Sequence, residues 1–449
     1  MQIIESISQL DQLKKQLKES PSFWIPHYAD FFKHYVNNSI SFIYIYLIDE
    51  ETDYIVPFQH IDCLNLDSDH LKDLTSTHDI YVLAKKRFTH FYSDTCYDAD
   101  MVAWWKTHSM LALDDTNTVA HDIWNRWWFN ETNANNWLPI TKHYERCVGM
   151  KDKFMTHYNS FEITEDFKTY ESMFIDNFYA IERNGLHVDT TIFTEKFKTN
   201  ELIAEKAYTE YNPYTSTGRP SNKFGGVNYA ALNKENGCRK SFTSRHSQGM
   251  LIEFDYDAYH VRLIADIIGY ELPAGSVHEY FGKQYFGVDE LSKEQYSQSK
   301  QITFRLLYGG IDKDFEKIPF FGKTKKYIYK LWTEFKRDGY IKTPYFNRPM
   351  HKEYLHETNP NKLFNYLLQA TETEHNIHVI NTLNGTLSKY NTKLILYTYD
   401  SLLFDFDMRD GKDLILKIKD EMSENGKFPV KIQAGINYHS LNDMTSKLV

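Results

Sequence analysis

Two apolar runs far apart in the chain each end on an aspartate, and together they constrain the fold more than any other feature. In MLIEFDYDAYHVRLIADII, residues 250–254 form an apolar run that ends at Asp255, and Val261, Leu263 and Ile264 follow with helical spacing. In KLILYTYDSLLFDF, apolar stretches flank Tyr399, Asp400 and Ser401, which predicts a tight β-hairpin with Asp400 at its tip. A carboxylate at the end of a buried strand, beside a helix start, is a natural metal ligand. Each aspartate also has an ordinary reading: Asp255 as a helix N-cap, and Asp400 as a turn residue that bonds its own backbone.

A third segment, QYSQSKQITFRLLYGG, places Lys300, Phe304 and Tyr308 at i, i+4 and i+8, on one helix face. A cation followed by two aromatic rings suits a triphosphate with its sugar and base stacked behind. An amphipathic core helix with a snorkelling lysine explains the rings as well, but not the closing Tyr308-Gly309-Gly310.

In this order the three segments resemble motifs A, B and C of the family A DNA polymerases, the polymerase I-like group. Motif A, DYSxxExR, is matched at Asp255, Tyr256 and Arg262; motif B, RxxxKxxxFGxxYG, is matched at Lys300, Phe304, Tyr308 and Gly309. Of motif C, HDE, only Asp400 is unchanged. IERNGLHVD (181–189) resembles the MExxGxxVD segment before the family's thumb, and TSTGRPS (215–221) matches TxTGRxS at Thr217 and Arg219. GYIKTPYFNR resembles GYxxTxxGRR and keeps Arg348, while Asn365 and Gln369 in FNYLLQATETE keep the NxxxQ spacing of a palm helix. The closing AGINYHSL is similar to GxNWxxAH, so the resemblance covers about residue 161 to the C-terminus.

The resemblance implies an α/β (α+β) right-hand fold. Residues 156–214 would be a connecting helix and shortened thumb, 215–262 and 350–449 the palm, and 263–349 the fingers. It implies template-dependent addition of dNTPs to a primer 3′-hydroxyl with two Mg²⁺ ions, held by Asp255, Asp400 and the Tyr256 backbone carbonyl. Lys300, Phe304, Tyr308, His260 and Arg262 would meet the dNTP; Thr217, Arg219, Arg348, Asn365 and Gln369 would meet primer-template DNA.

The sequence departs from the family at several points. His260 replaces a glutamate that helps exclude the ribose 2′-hydroxyl, and its bulk can still block. Tyr296 stands where the family has a triphosphate-binding arginine, with Lys293 or Arg305 as candidate substitutes. Tyr399 and Ser401 replace the His and Glu beside the motif C aspartate. At about 1.5 Å per residue, residues 190–214 make about one of a thumb's two long helices. A weaker grip on duplex DNA, low processivity and a processivity or replisome partner are therefore expected.

Residues 1–155 occupy the position of a 3′–5′ exonuclease domain, which the meander SFIYIYLIDEETDYIVPFQHID and the later CYDADMVAWW resemble. SFWIPHYAD stands where a DxE motif belongs and AKKRFTHFY lacks the next metal-binding Asp, so the domain is expected to be an inactive scaffold or DNA guide. An unrelated α/β domain fits the same pattern. A further strand is predicted at DIYVLAKK from Asp79, and a helix from about Phe161 to Glu182 with its stop at Asn184-Gly185. Trp104, Trp105, Trp124, Trp127, Trp128 and Trp137 are expected on helices packing between domains.

Composition narrows the class without deciding it. Hydrophobic residues at 42% and charged residues at 25% are ordinary for a soluble globular protein. A formal charge of −10 does not exclude DNA, because affinity follows local clusters of Lys and Arg. Cys63, Cys96, Cys147 and Cys238 form no CxxC pair, which argues against a disulfide scaffold or zinc ribbon and fits a reducing cytoplasm. His375 and His378 lack a third ligand at diagnostic spacing and read as an ordinary pair. No apolar run is long enough for a membrane span, and the start, MQIIESISQLDQLKKQLKES, reads as a strand and a surface helix rather than a signal peptide. Small size and missing proofreading ligands suggest phage or mobile-element replication, in the host cytoplasm. Two alternatives stay open: a single-subunit RNA polymerase, whose HDS motif Asp400-Ser401 resembles, and a non-catalytic DNA-binding replication scaffold.

Overall fold

In the computed structural model of the chain, residues 1–30, 33–93, 95–113, 139–197, 202–273, 275–355 and 357–447 are described. They build two units, Met1–Tyr179 and Ala180–Val449.

The first unit contains β1 (Gln2–Ile3), α1 (Ile7–Gln16), β2 (Ser22–Tyr28), β3 (Ile40–Leu47), β4 (Thr52–Pro57) and β5 (Ile80–Val82). There follow α2 (Lys85–Phe88), β6 (Tyr97–Asp98), α3 (Ala99–Thr107), α4 (Ile140–Tyr158) and most of α5 (Glu165–Asn184), whose last residues, from Ala180, belong to the second unit. The strands form one sheet in the order β1-β4-β3-β2-β5-β6. The expected meander of residues 41–62 is the antiparallel pair β3–β4, which β2 extends on the other side of β3, and β5 and β6 run parallel to β2 beside it. All of β3 is buried, as its continuous apolar run demands. Trp24, Ile43, Ile45, Leu47 and Val56 belong to the core of this unit.

Strand β5 is shorter than DIYVLAKK suggested, because Ala84 turns left-handed (φ 56°) and Lys85 already opens α2. Trp104 stacks on Tyr170, and Trp105 meets Phe167 edge-on, so both pack inside this unit. Trp124, Trp127, Trp128 and Trp137 lie outside the described residues. Helix α5 starts a few residues later than expected, where the Thr164 hydroxyl accepts the Phe167 N–H at 3.2 Å. It stops at Asn184, where Gly185 takes a φ of 61°.

The second unit opens with β7 (Leu186–His187), α6 (Thr190–Lys196), β8 (Lys206–Ala207), β9 (Tyr211–Asn212), β10 (Ser221–Phe224) and β11 (Val227–Asn228). Next come β12 (Gly249–Tyr256), α7 (Tyr259–Ile267), α8 (Val277–Phe286), α9 (Lys293–Gly309), α10 (Pro319–Asp338), β13 (Tyr340–Lys342) and β14 (Pro349–His351). The unit closes with α11 (Pro360–Leu387), β15 (Lys393–Tyr397), β16 (Ser401–Asp407), α12 (Gly411–Ser423), β17 (Val430–Gly435) and β18 (Asn442–Asp443). Its main sheet is antiparallel, in the order β15-β16-β12-β17-β18. Helix α11, 28 residues long, packs against α7, α10 and α12. Among the described residues of 190–214, α6 is the one helix, seven residues long. No helix among the described residues is long and apolar enough to cross a membrane.

Strand β12 lies at the centre of the sheet, with Leu251, Ile252 and Phe254 buried. Phe254 meets Phe404 of β16 edge-on at 5.3 Å. Replacing Phe254 by Ala should destabilise the second unit by about 3–5 kcal/mol, read as a lower urea midpoint. A loss under about 1 kcal/mol would mean that this ring is not a core anchor.

Candidate active site

The strand that carries Asp255 ends beside the hairpin that carries Asp400. In the β12–β16 ladder Asp255 is opposite Ser401, and the Tyr256 N–H donates to the Asp400 carbonyl at 2.9 Å. Asp255 is not the cap of α7; that position belongs to Ala258, with a φ of 52° and no side-chain bond. Asp400 lies at the tip of the β15–β16 hairpin, where its N–H donates to the Thr398 carbonyl at 2.9 Å. Tyr399 before it takes a left-handed φ of 67°.

Burial, followed by the charge of Asp400 and then Glu253, pushes the Asp255 carboxyl up to about 7. Asp400 is also raised, by burial and then by Glu372, against the pull of Arg219 and His260. Burial and the neighbouring carboxylates thus disfavour the charged pair, offset only in part by Lys431 and Lys234 at Asp255 and by Arg219 and His260 at Asp400, and a divalent cation would relieve that cost. Among the described residues no group of three or more His, Cys, Asp or Glu has the arrangement to hold a metal. A magnesium ion needs only one or two carboxylates when substrate phosphates and water complete its shell.

Helix α9 begins with a capping box between Ser292 and Gln295. Along it the Lys300 ammonium lies over the Tyr296 ring, 4.9 Å from its centre. Phe304 and Tyr308 stack with centroids 6.1 Å apart, and they stay 41% and 39% exposed, unusual for a stacked aromatic pair inside a fold. The Tyr308 hydroxyl reaches His260 Nδ1 at 2.5 Å, which ties α9 to α7. His278 packs on Phe304, and burial followed by Lys300 pushes its imidazole down to about 4, so it is neutral at pH 7. Arg262 is turned inward, donating to the carbonyls of Asp257 at 3.0 Å and Gly275 at 3.1 Å. Arg305 pairs with Asp312 at 2.8 Å.

The residues expected to meet DNA converge on α11. Thr217 donates to Gln369 Oε1 at 3.4 Å, and the Arg219 N–H donates back to Thr217 Oγ1 at 3.4 Å. Asn365 donates to the Tyr308 carbonyl at 3.2 Å. Arg348 is 1% exposed: its Nη2 donates to the Thr217 carbonyl at 3.0 Å, and its Nε lies 3.9 Å from Glu374. It braces the loop that presents Arg219 from below. Burial, offset by Arg348, raises the Glu374 carboxyl to about 7.

Two residues that sequence reasoning passed over complete the cluster. Glu372, buried, has Oε2 at 3.0 Å from Arg219 Nε and Oε1 at 3.3 Å from His260 Nε2. Asn376 donates to the Tyr399 carbonyl at 3.0 Å. Their signal was present: Asn365, Gln369, Glu372 and Asn376 recur at helical spacing and make one polar stripe. His375, off this stripe, is buried between the Tyr259 hydroxyl and Glu424, which it meets at 2.9 Å.

No family model matches the sequence, and no curated protein matches it with significance. Among solved structures, the chain is similar to the polymerase domain of Pol1 from M. smegmatis, determined in complex with DNA primer-template and dNTP. The TM-score is 0.69 at 12% identity, and the match covers 98% of this chain and 100% of that one. At such identity the likeness establishes the fold, a mixed α/β polymerase-domain fold.

Replacing Arg348 by Leu leaves Glu374 buried beside no cation and should cost about 3–5 kcal/mol. Replacing both residues by Leu should recover part of that loss, and chemical denaturation of the three proteins measures both effects. If the double variant is less stable than the single one, the two residues do not form a compensated pair.

Proposed function

We propose that the chain is a template-dependent DNA polymerase of the polymerase I-like kind, extending a primer 3′-hydroxyl with dNTPs. The observation that carries this reading is the placement of Asp255 and Asp400 side by side, at the joined ends of β12 and β16. The polymerase-domain fold and the ordered motifs support it.

Asp255, Asp400 and the Tyr256 carbonyl would hold two Mg²⁺ ions. Bound there, the metal would supply Lewis acidity at the primer hydroxyl and at the triphosphate. Lys300, stationed over Tyr296, would neutralise triphosphate charge. The exposed rings of Phe304 and Tyr308 would take the sugar and nascent base pair. Thr217, Arg219, Asn365 and Gln369 would meet the primer-template, with Arg348 holding their loop in place. Arg262 would brace the segment between β12 and α8. In this reading residues 215–262 and 350–449 are palm, 263–349 fingers, and 156–214 a connecting helix with a reduced thumb. The brevity of α6 supports weak duplex grip, low processivity and a processivity partner.

The N-terminal region, residues 1–155, would be an exonuclease-like domain without hydrolytic function, its meander supporting the likeness. Replication of a phage or mobile element, in the host cytoplasm, would be its setting. A second reading, a single-subunit RNA polymerase, draws on Asp400-Ser401.

Primer extension with Mg²⁺ tests the assignment. Asp255→Ala and Asp400→Ala should each lower template-directed dNTP addition by at least about a thousandfold while remaining folded. Near-normal extension by either variant would remove the two-carboxylate mechanism, and a preference for rNTPs in the wild type would favour the RNA polymerase reading. Without dNTPs, a 5′-labelled primer should stay intact over hours with Mg²⁺. Stepwise shortening that survives Asp255→Ala would show a working exonuclease in the first unit.

A further inference from the structure

Helix α10 sorts its apolar and its charged residues onto opposite sides. Phe320, Phe321, Ile328, Leu331 and Phe335 are buried, and Tyr327 meets Phe364 of α11 edge-on. With about 3.6 residues per turn, Lys323, Lys326, Tyr329, Lys330, Lys336 and Arg337 fall on the other side, and all are exposed. The helix carries six basic residues against Glu334 and Asp338, in a chain whose formal charge is −10. Little of that charge is neutralised along the row. Lys330 meets Glu334 only at 3.8 Å, and Lys323 reaches the Gly269 carbonyl at 3.4 Å. The closer pairs, Lys325 with Glu316 and Arg337 with Asp338, lie at its margin and its end.

Lys326 and Lys330 are one turn apart, where like charges repel. A face kept for solubility alone mixes charges of both signs. Between those two lysines stands Tyr329, with 54% of its surface exposed. We infer that the outer face of α10 binds single-stranded DNA, as a second DNA site built from none of the residues around Asp255 and Asp400. The phosphates follow the lysines, and an unpaired base stacks on the Tyr329 ring. From Lys323 to Arg337 the row spans about 21 Å, room for several nucleotides. A duplex has its bases stacked inside and offers that ring no face. An acidic protein segment would answer the lysines and leave the ring unused. The inference goes beyond the polymerase reading and needs no step of it.

Fluorescence anisotropy of a 5′-labelled oligo-dT of about 20 nucleotides, titrated with the full chain without dNTPs, tests it. Replacing Lys326, Lys330 and Lys336 together by Gln should raise the Kd by at least about tenfold. It should also lower the slope of log Kd against log salt by about 2, since each lost phosphate contact removes about 0.7. Tyr329→Ala should raise the Kd by about fivefold or more and leave that slope unchanged. Both variants should bind a blunt duplex as the wild type does, and thermal melting checks that they stay folded. A folded triple variant with the wild-type Kd and slope overturns the inference, as does an equal loss of affinity for the blunt duplex. Poly-glutamate that displaces the oligo-dT as well as unlabelled oligo-dT does would also overturn it, and would assign the face to an acidic protein segment. Oligo-dT binding through α10 by a chain that extends no primer leaves this inference standing and removes the polymerase reading.

Discussion

Antiparallel pairing of β12 with β16 runs without a break from Gly249 opposite Asp407 to Asp255 opposite Ser401. Because side chains alternate across a sheet, a slip of one residue would carry Asp255 to the other face and away from the hairpin tip. Leu251, Ile252, Phe254, Leu402, Leu403 and Phe404, all buried, hold the register by burying both faces of the pair. The charged end of the sheet is thus stabilised by its apolar middle. Two carboxylates that repel each other are kept together by burial that neither of them supplies.

Helix α11 presents the opposite problem. It buries Glu372, Glu374, His375 and Asn376 along with its apolar residues, and a buried charge without partners costs several kcal/mol. Each finds one: Arg219 for Glu372, Arg348 for Glu374, Tyr259 and Glu424 for His375, the Tyr399 carbonyl for Asn376. Those partners come from separate stretches of chain, so the helix acts as the post to which the TGR loop, α7 and the aspartate hairpin are tied. Polar pairing of this kind adds little net stability, but it permits few alternative arrangements.

Much of the fold was legible because its signals are local. The hairpin around Asp400, the stop of α5 at Gly185 and the shared face of Lys300, Phe304 and Tyr308 each follow from apolar spacing or a turn residue within a dozen positions. Strand β5 was over-read, since nothing in DIYVLAKK announces that Ala84 turns left-handed. The ordinary N-cap reading of Asp255 was equally open to the sequence, and only the distance to α7 removed it.

The sequence by itself determined which residues have the chemistry: two aspartates at strand ends, a lysine with two rings on one helix, and a polar stripe on another. Tertiary structure alone decided their relations. Arg348, read as a surface contact, is interior, because the Thr217 carbonyl and Glu374 that receive it come from segments distant in the chain. Glu372 stands at the junction of Arg219 and His260 for the same reason. Local periodicity follows from backbone geometry within a few residues, but which charges meet is set by long-range packing, to which no single stretch of sequence gives access.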